Sequence, residues 1–263
     1  MSNDLNQDIA KELVSRTAGK TYDDLVHPTA QATGGIISFI PRTIRVWFGK
    51  WEKWILNGEY AIRETEKLLE EKLKHIPEDK IVEPEPYVVV LAIQQLSYSL
   101  DSEELRELYA NLLASSINAD TKKNVHPSFA EIIKQLSPLD ARVVEMIKHN
   151  QKPIPIITGR LNYEVSNTFS EIVRDYSTVL YSIYQDVDEL AASLQNLKRL
   201  GLINVRYDQV VKPDTVYDVF ETDTAYQQIK ESVCNIPNTN ISLNKGLVEL
   251  TNFGLQFCET CCK

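Results

Sequence analysis

Glycine is scarce, nine residues scattered through 263, which leaves little material for phosphate-cradling loops or a many-turned β-sandwich. Positive charge is short as well. With 28 Lys and Arg against 37 Asp and Glu the net charge is -9 and the pI is near 5.1, which excludes a surface that binds nucleic acid throughout. Long apolar runs are missing: outside 36–56 the longest is Val88 to Ile93, far too short to span a bilayer. Met1 to Lys20 is polar and amphipathic, with no apolar run before a small-residue cleavage site, so a cytoplasmic protein is expected. There is no H-E-x-x-H, G-x-S-x-G, Walker loop or G-x-G-x-x-G, and no cofactor is expected. What remains is a globular composition, 43% hydrophobic and 25% charged, long enough to bury a core without disulfide or metal staples.

Cysteine is rare and bunched. Three of the four, Cys258, Cys261 and Cys262, fall in the last six residues, and Cys234 stands alone. Cys258-x-x-Cys261 has zinc-ligand spacing, and Cys234 with Cys262 could add two sulfurs. There is no second C-x-x-C, and the histidines lie at 27, 75, 126 and 149. Reduced thiols on a terminal helix are the simpler reading.

Helical periodicity dominates the first half. Leu5, Ile9 and Leu13 mark a short amphipathic helix, and a long one is expected from about Pro41 to His75, stopped by Pro77. Tyr87 to Leu100 is the most apolar helix candidate. Asp101 with Glu104, and Ser128 with Glu131, have capping-box spacing, while Ser137-Pro138 starts a further helix. Past Lys152-Pro153-Ile154-Pro155 the character changes. Phe169 to Ile183 reads as a helix; Asp186 and Glu189 cap the next, which buries Leu190, Leu194, Leu197 and Leu200 and stops at Gly201. Ile203, Val205 and Tyr207 alternate as a strand, Leu247 to Leu250 form a second, and Thr251-Asn252 opens a terminal helix.

Helices at 138–149, 169–183 and 188–200, a glycine turn and two strands follow the order of a winged helix-turn-helix. The second helix is long for that fold, and about forty residues part the wing strands where about ten are usual. DNA reading would fall to Lys198 and Arg199 on the third helix and Arg206 on the wing. Asp188, Glu189, Asp208, Asp214, Asp218 and Glu221 surround them, so a packing or partner-binding module is favoured over a duplex reader.

All three tryptophans lie in IISFIPRTIRVWFGKWEKWIL, residues 36–56. On a helix, Trp47, Phe48, Trp51 and Trp54 share one face and Arg42, Arg45, Lys50 and Lys53 the other. That pattern suits the core stripe of a bundle, and also a helix lying on an anionic membrane surface or a protein partner. Other chemistry is thin. Asp23–Asp24, Glu70–Glu71 and Glu103–Glu104 point in different directions on helices and read as solvated faces. His126-Pro127-Ser128 could set a nucleophile beside a base, but at a helix start capping explains it.

The run from Leu105 to Ile147 resembles the shared segment of the abortive infection alpha family of bacterial proteins. The matching pieces are Leu105-Arg106 with Tyr109-Ala110-Asn111-Leu112-Leu113-Ala114, then His126-Pro127-Ser128-Phe129, and Gln135-Leu136-Ser137-Pro138 with Asp140-Ala141. Leu200-Gly201-Leu202-Ile203 and Leu250-Thr251-Asn252-Phe253-Gly254 fit more loosely. The resemblance implies a bacterial or prophage-encoded cytoplasmic antiphage protein, and it brings no catalytic residues.

The fold expected is mainly α: an N-terminal helical bundle with a long helix over 1–136, then a winged-helix-like α+β domain over 137–263. The function expected is a non-enzymatic abortive-infection protein, cytoplasmic or peripheral to a membrane, acting through a membrane or protein partner. A winged-helix nucleic-acid-binding regulator is the alternative and a hydrolytic toxin the third reading; self-association is left open.

Overall fold

The computed structural model of the chain describes residues 67–96, 101–183 and 185–262. The helix expected near Leu5 to Leu13, the Trp-rich face and most of the long helix from Pro41 lie outside them. The last part of that helix is helical over 67–73 and ends before Pro77.

The fold is α+β. Helix α1 spans Pro86–Leu96, α2 Glu103–Ile117, α3 Ser128–Lys134 and α4 Pro138–Asn150. Strands β1 (Ile154–Tyr163) and β2 (Thr168–Tyr176) form a hairpin, followed by the short α5 (Thr178–Tyr181) and α6 (Val187–Arg199). Then come β3 (Ile203–Arg206), the short α7 (Val219–Thr222), α8 (Thr224–Val233), β4 (Thr239–Leu250) and α9 (Asn252–Cys261). The antiparallel sheet runs β2-β1-β4-β3.

Helix α2 is the axis of the core. Every residue from Leu108 to Ile117 is buried, because α1, α3, α4 and α9 pack around it. A helix enclosed on all sides needs internal partners for its polar groups. Asn111 Nδ2 donates to the Cys261 carbonyl at 2.7 Å, and Ser115 Oγ to the Thr260 carbonyl at 2.9 Å. Lys148 Nζ, on α4, donates to the carbonyls of Cys258 and Cys262. Helix ends leave their last carbonyls short of intrahelical donors, and three side chains from two other helices donate to the end of α9. One apolar cluster runs from Leu69 to Cys262, and a second, rich in tyrosine, lies under the β1–β2 hairpin.

Several expected boundaries hold. Ser137 and Asp140 form the capping box of α4, with Pro138 in its first turn. Asp186 caps α6 through the amides of Asp188 and Glu189. Gly201 has φ 74°, its N–H bonds the Lys198 carbonyl, and the Leu202 N–H reaches the Leu197 carbonyl: the left-handed stop that glycine permits.

Others are corrected. The cap of α2 is Ser102, whose Oγ accepts from Leu105 N, not Asp101. Ser128 does not cap α3; it is the first helical residue, and its N–H is accepted by His126 Nδ1 at 3.2 Å. The helix expected over 169–183 is strand β2 with only α5 helical behind it. Thr168, Phe169, Ile172, Val173 and Tyr176 favour a pleated surface, and the turn before them has Asn167 at φ 51°. Its partner β1 begins within Lys152-Pro153-Ile154-Pro155, where only a change of character was expected and no strand. Pairing with β2 begins only at Ile157, so at Pro155 the strand pairs with β4 alone, the edge position at which sheets admit proline. The second wing strand is longer than Leu247 to Leu250, and α7 and α8 occupy much of the long insertion before it.

Candidate interaction surface

The residues of the family-like segment turn inward. Tyr109 OH donates to the Ala130 carbonyl at 3.1 Å, and Phe129 packs against Phe253 and Phe257 with ring centroids 5.4 and 5.3 Å apart. Asp140 is buried between α4 and α6. It accepts from Ser193 Oγ at 2.6 Å, Asn196 Nδ2 at 2.9 Å and Ser137 N at 2.8 Å. The two looser pieces meet each other: Thr251 Oγ1 donates to the Gly201 carbonyl at 2.6 Å and accepts from Gly254 N at 2.8 Å. A Cβ on Gly254 would fall 1.9 Å from the Leu202 carbonyl oxygen, so only glycine allows this approach.

His126 Nδ1 lies 2.7 Å from Ser128 Oγ, the distance a nucleophile–base pair requires. The same nitrogen also accepts the Ser128 N–H, and the imidazole lies against Phe129 and Phe253. Nδ1 is thus shared between the hydroxyl and the N–H of Ser128, and the ring is seated among aromatic side chains. A shallow cleft of about 480 Å³ lies elsewhere, between the start of α4 and the face of α6, lined by Ser137, Asp140, Arg142, Glu189, Ser193 and Asn196.

Of the three nucleic-acid candidates, two are spent within the molecule. Arg199 donates to Asn196 Oδ1 at 2.7 Å and Gln135 Oε1 at 3.1 Å. Arg206 makes a two-point contact with Asp208 at 2.8 and 3.1 Å. Lys198 is exposed, while Asp186, Asp188 and Glu189 are exposed at the other end of the same helix.

Cys234 is exposed and Cys258, Cys261 and Cys262 are buried; among the described residues no group of His, Cys, Asp and Glu is placed to hold a metal. The Cys262 thiol is pushed far above its usual range by its hydrogen bond to Cys258 and by burial, which keeps it protonated and inert. Trp47, Phe48, Trp51, Trp54, Arg42, Arg45, Lys50 and Lys53 lie outside the described residues.

Sequence reasoning missed the projecting part of the sheet. In β1, β2 and β4 the register aligns Asn162 with Phe169 and Asn240, and Arg160 with Glu171 and Ser242. Asn162 Nδ2 donates to Asn240 Oδ1 and to Ser242 Oγ, both at 2.9 Å, making a polar ladder across the strands. Val165 is 85% exposed and Phe169 53% at the hairpin end. Nearer the core, Tyr207 OH donates to Asp175 Oδ1 and meets Thr158 Oγ1, both at 2.7 Å, and burial pushes the Tyr207 phenol upward. Beneath, burial and then the Glu221 charge push Tyr226 up to about 12. These tyrosines anchor the arm. The period-two alternation from Ile156 to Tyr163 was the one available sign of it.

The geometry defines an α+β protein whose buried polar groups hold helix to helix and whose sheet carries an exposed arm. The chain belongs to the abortive infection alpha family, whose model matches residues 57–261. No curated protein matches. A solved structure of an uncharacterized protein from the marine bacterium Alcanivorax borkumensis SK2 is similar at 17% identity and a TM-score of 0.34, with 51% of this chain and 92% of that one covered. No helix among the described residues is long and apolar enough to cross a membrane.

Proposed function

We propose that this chain is an antiphage protein of abortive infection, limiting phage at the expense of the infected cell, and that it works through contact rather than covalent chemistry. The family match over residues 57–261 carries the antiphage role. The contact mechanism is supported by where the reactive-looking groups are spent. Asp140, Tyr109, Asn111 and Ser115 each hold one helix to another, which leaves surfaces to carry the activity. A protein partner is the main reading, in a cytoplasmic protein; the Trp-rich segment 36–56 keeps an anionic membrane surface as the other contact.

Infection of cells producing the protein tests the role. At low multiplicity the culture survives and plaques fall; at high multiplicity the culture collapses. Survival at both multiplicities, or unchanged plaques, would overturn it. Co-sedimentation of the full chain with anionic against neutral phospholipid vesicles tests the membrane contact, which recovery in the supernatant with both would remove.

A winged-helix nucleic-acid regulator is the second reading. The order α4, β1, α6, β3, β4, with β4 between β1 and β3, supports it. The internal engagement of Arg199 and Arg206 weighs against it, because a duplex reader needs several uncommitted cations. A duplex-DNA shift that weakens steeply with salt and is lost in Lys198→Ala would restore it.

A further inference from the structure

We propose that the exposed arm of the sheet is a docking surface for an extended, acidic segment of a protein partner, with Arg160 reading its carboxylate. The proposal rests on the partner reading above and names the surface and the chemistry.

The charge pattern carries it. Arg160 stands on β1 between Glu171 of β2 and Ser242 of β4. An arginine with a glutamate as its cross-strand neighbour ordinarily pairs with it. Here Glu171 is taken by Arg174, at 2.5 Å to one guanidinium nitrogen and 2.7 Å to Nε. Arg160 instead stacks on Phe169, its guanidinium carbon 4.4 Å from the ring centroid, and its buried Nε has no acceptor. A guanidinium seated over an aromatic ring can still offer N–H groups to a planar anion. Ser242 Oγ accepts from Asn162, and no described residue takes its own O–H. Two donors on adjacent strands thus stand side by side without an anion.

The backbone says what form the partner takes. β2 is an end strand, and Thr168, Phe169, Ser170 and Glu171 are exposed. An end strand of this kind accepts an added strand through its main chain, and alternate side chains supply specificity. Phe169 and Val165 at the hairpin end offer apolar contacts beside Arg160. A polyanion fits less well, since Glu164 and Glu171 stand on the same arm of an acidic protein. One carboxylate on a strand meets one uncommitted cation.

Fluorescence anisotropy with the full chain tests this, using a labelled valine–threonine peptide that carries a single glutamate. A valine–lysine peptide and a thymidine oligonucleotide are the comparisons. The acidic peptide binds, and Arg160→Gln weakens it about tenfold, the size of one charge-assisted hydrogen bond. Circular dichroism stays unchanged and the melting temperature falls only slightly, because the variant removes the contact with the Phe169 ring but no ion pair. Arg174→Gln also weakens binding, since it releases Glu171 to Arg160, while Glu171→Gln leaves it equal or tighter. No binding of the acidic peptide, equal binding by Arg160→Gln, or a preference for the lysine peptide or the oligonucleotide would overturn the proposal. The readout involves no phage, so its failure leaves the antiphage role standing, and unchanged infection leaves the peptide result standing.

Discussion

Replacing Asp140 with alanine removes the joint between α4 and α6. The carboxylate caps α4 through Ser137 N and receives Ser193 Oγ and Asn196 Nδ2. Loss of the cap costs about 1 kcal/mol. Each bond to the carboxylate adds about 1.5 kcal/mol or more. Ser193 is left buried without its acceptor, whereas Asn196 keeps the Gln135 carbonyl at 2.9 Å, so its share is the smaller. The sum is about 3–4 kcal/mol, a large part of the roughly 5–15 kcal/mol that holds a domain folded. With an m-value of about 2 kcal/mol/M, the urea midpoint falls by about 1.5–2 M. Asp140→Asn keeps one acceptor but turns an amide donor toward existing donors, and falls about half as far. A double-mutant cycle with Ser193→Ala should show coupling of about 1 kcal/mol or more. A midpoint shift below about 0.5 M for Asp140→Ala, with no coupling to Ser193, would refute the reasoning.

Gly254→Ala places a Cβ 1.9 Å from the Leu202 carbonyl oxygen. It should cost about 3 kcal/mol or more, or prevent recovery of folded protein, as read by thermal melting. Asn111→Ala uncaps the Cys261 carbonyl at the end of α9 and should cost about 1–3 kcal/mol in urea unfolding; amide exchange should rise first in the last turn of that helix. Burial holds the Glu145 carboxyl above its usual range, with Glu107 and Glu104 adding repulsion against His149 and Lys148. The folded state therefore binds that proton more tightly than the unfolded chain, and this contribution is lost as pH rises through the carboxylate range. The melting temperature of Glu145→Gln should gain on wild type between about pH 4 and pH 7, and a constant difference would refute the assignment.

What was legible in the chain was local. Ser137-Pro138 with Asp140, Asp186, Gly201 and Thr251 each fix a helix end through neighbours a few residues away, and each does so in the structure. What was not legible depended on distant pairing. Thr168 to Tyr176 is a strand because Ile157 to Tyr163 lies beside it, and Ile154 to Tyr163 is a strand largely because Thr239 to Val248 does. The proposed docking surface was hidden for the same reason. Arg160 is notable only once Glu171 is seen turned to Arg174 and Phe169 seen beneath it. Conversely, Lys198, Arg199 and Arg206 stood out as cations in sequence. The spacing Arg206-Tyr207-Asp208 already held the carboxylate that engages one of them.

The most direct test of the account is phage plating efficiency in cells producing matched amounts of wild type, Arg160→Gln and the double variant His126→Ala/Ser128→Ala, each first shown to melt like wild type. The account predicts full protection by the His126/Ser128 variant and loss of protection by Arg160→Gln. Protection lost with the His126/Ser128 pair and kept in Arg160→Gln would contradict it, because the activity would then lie in chemistry at the start of α3 and not in contact through the sheet.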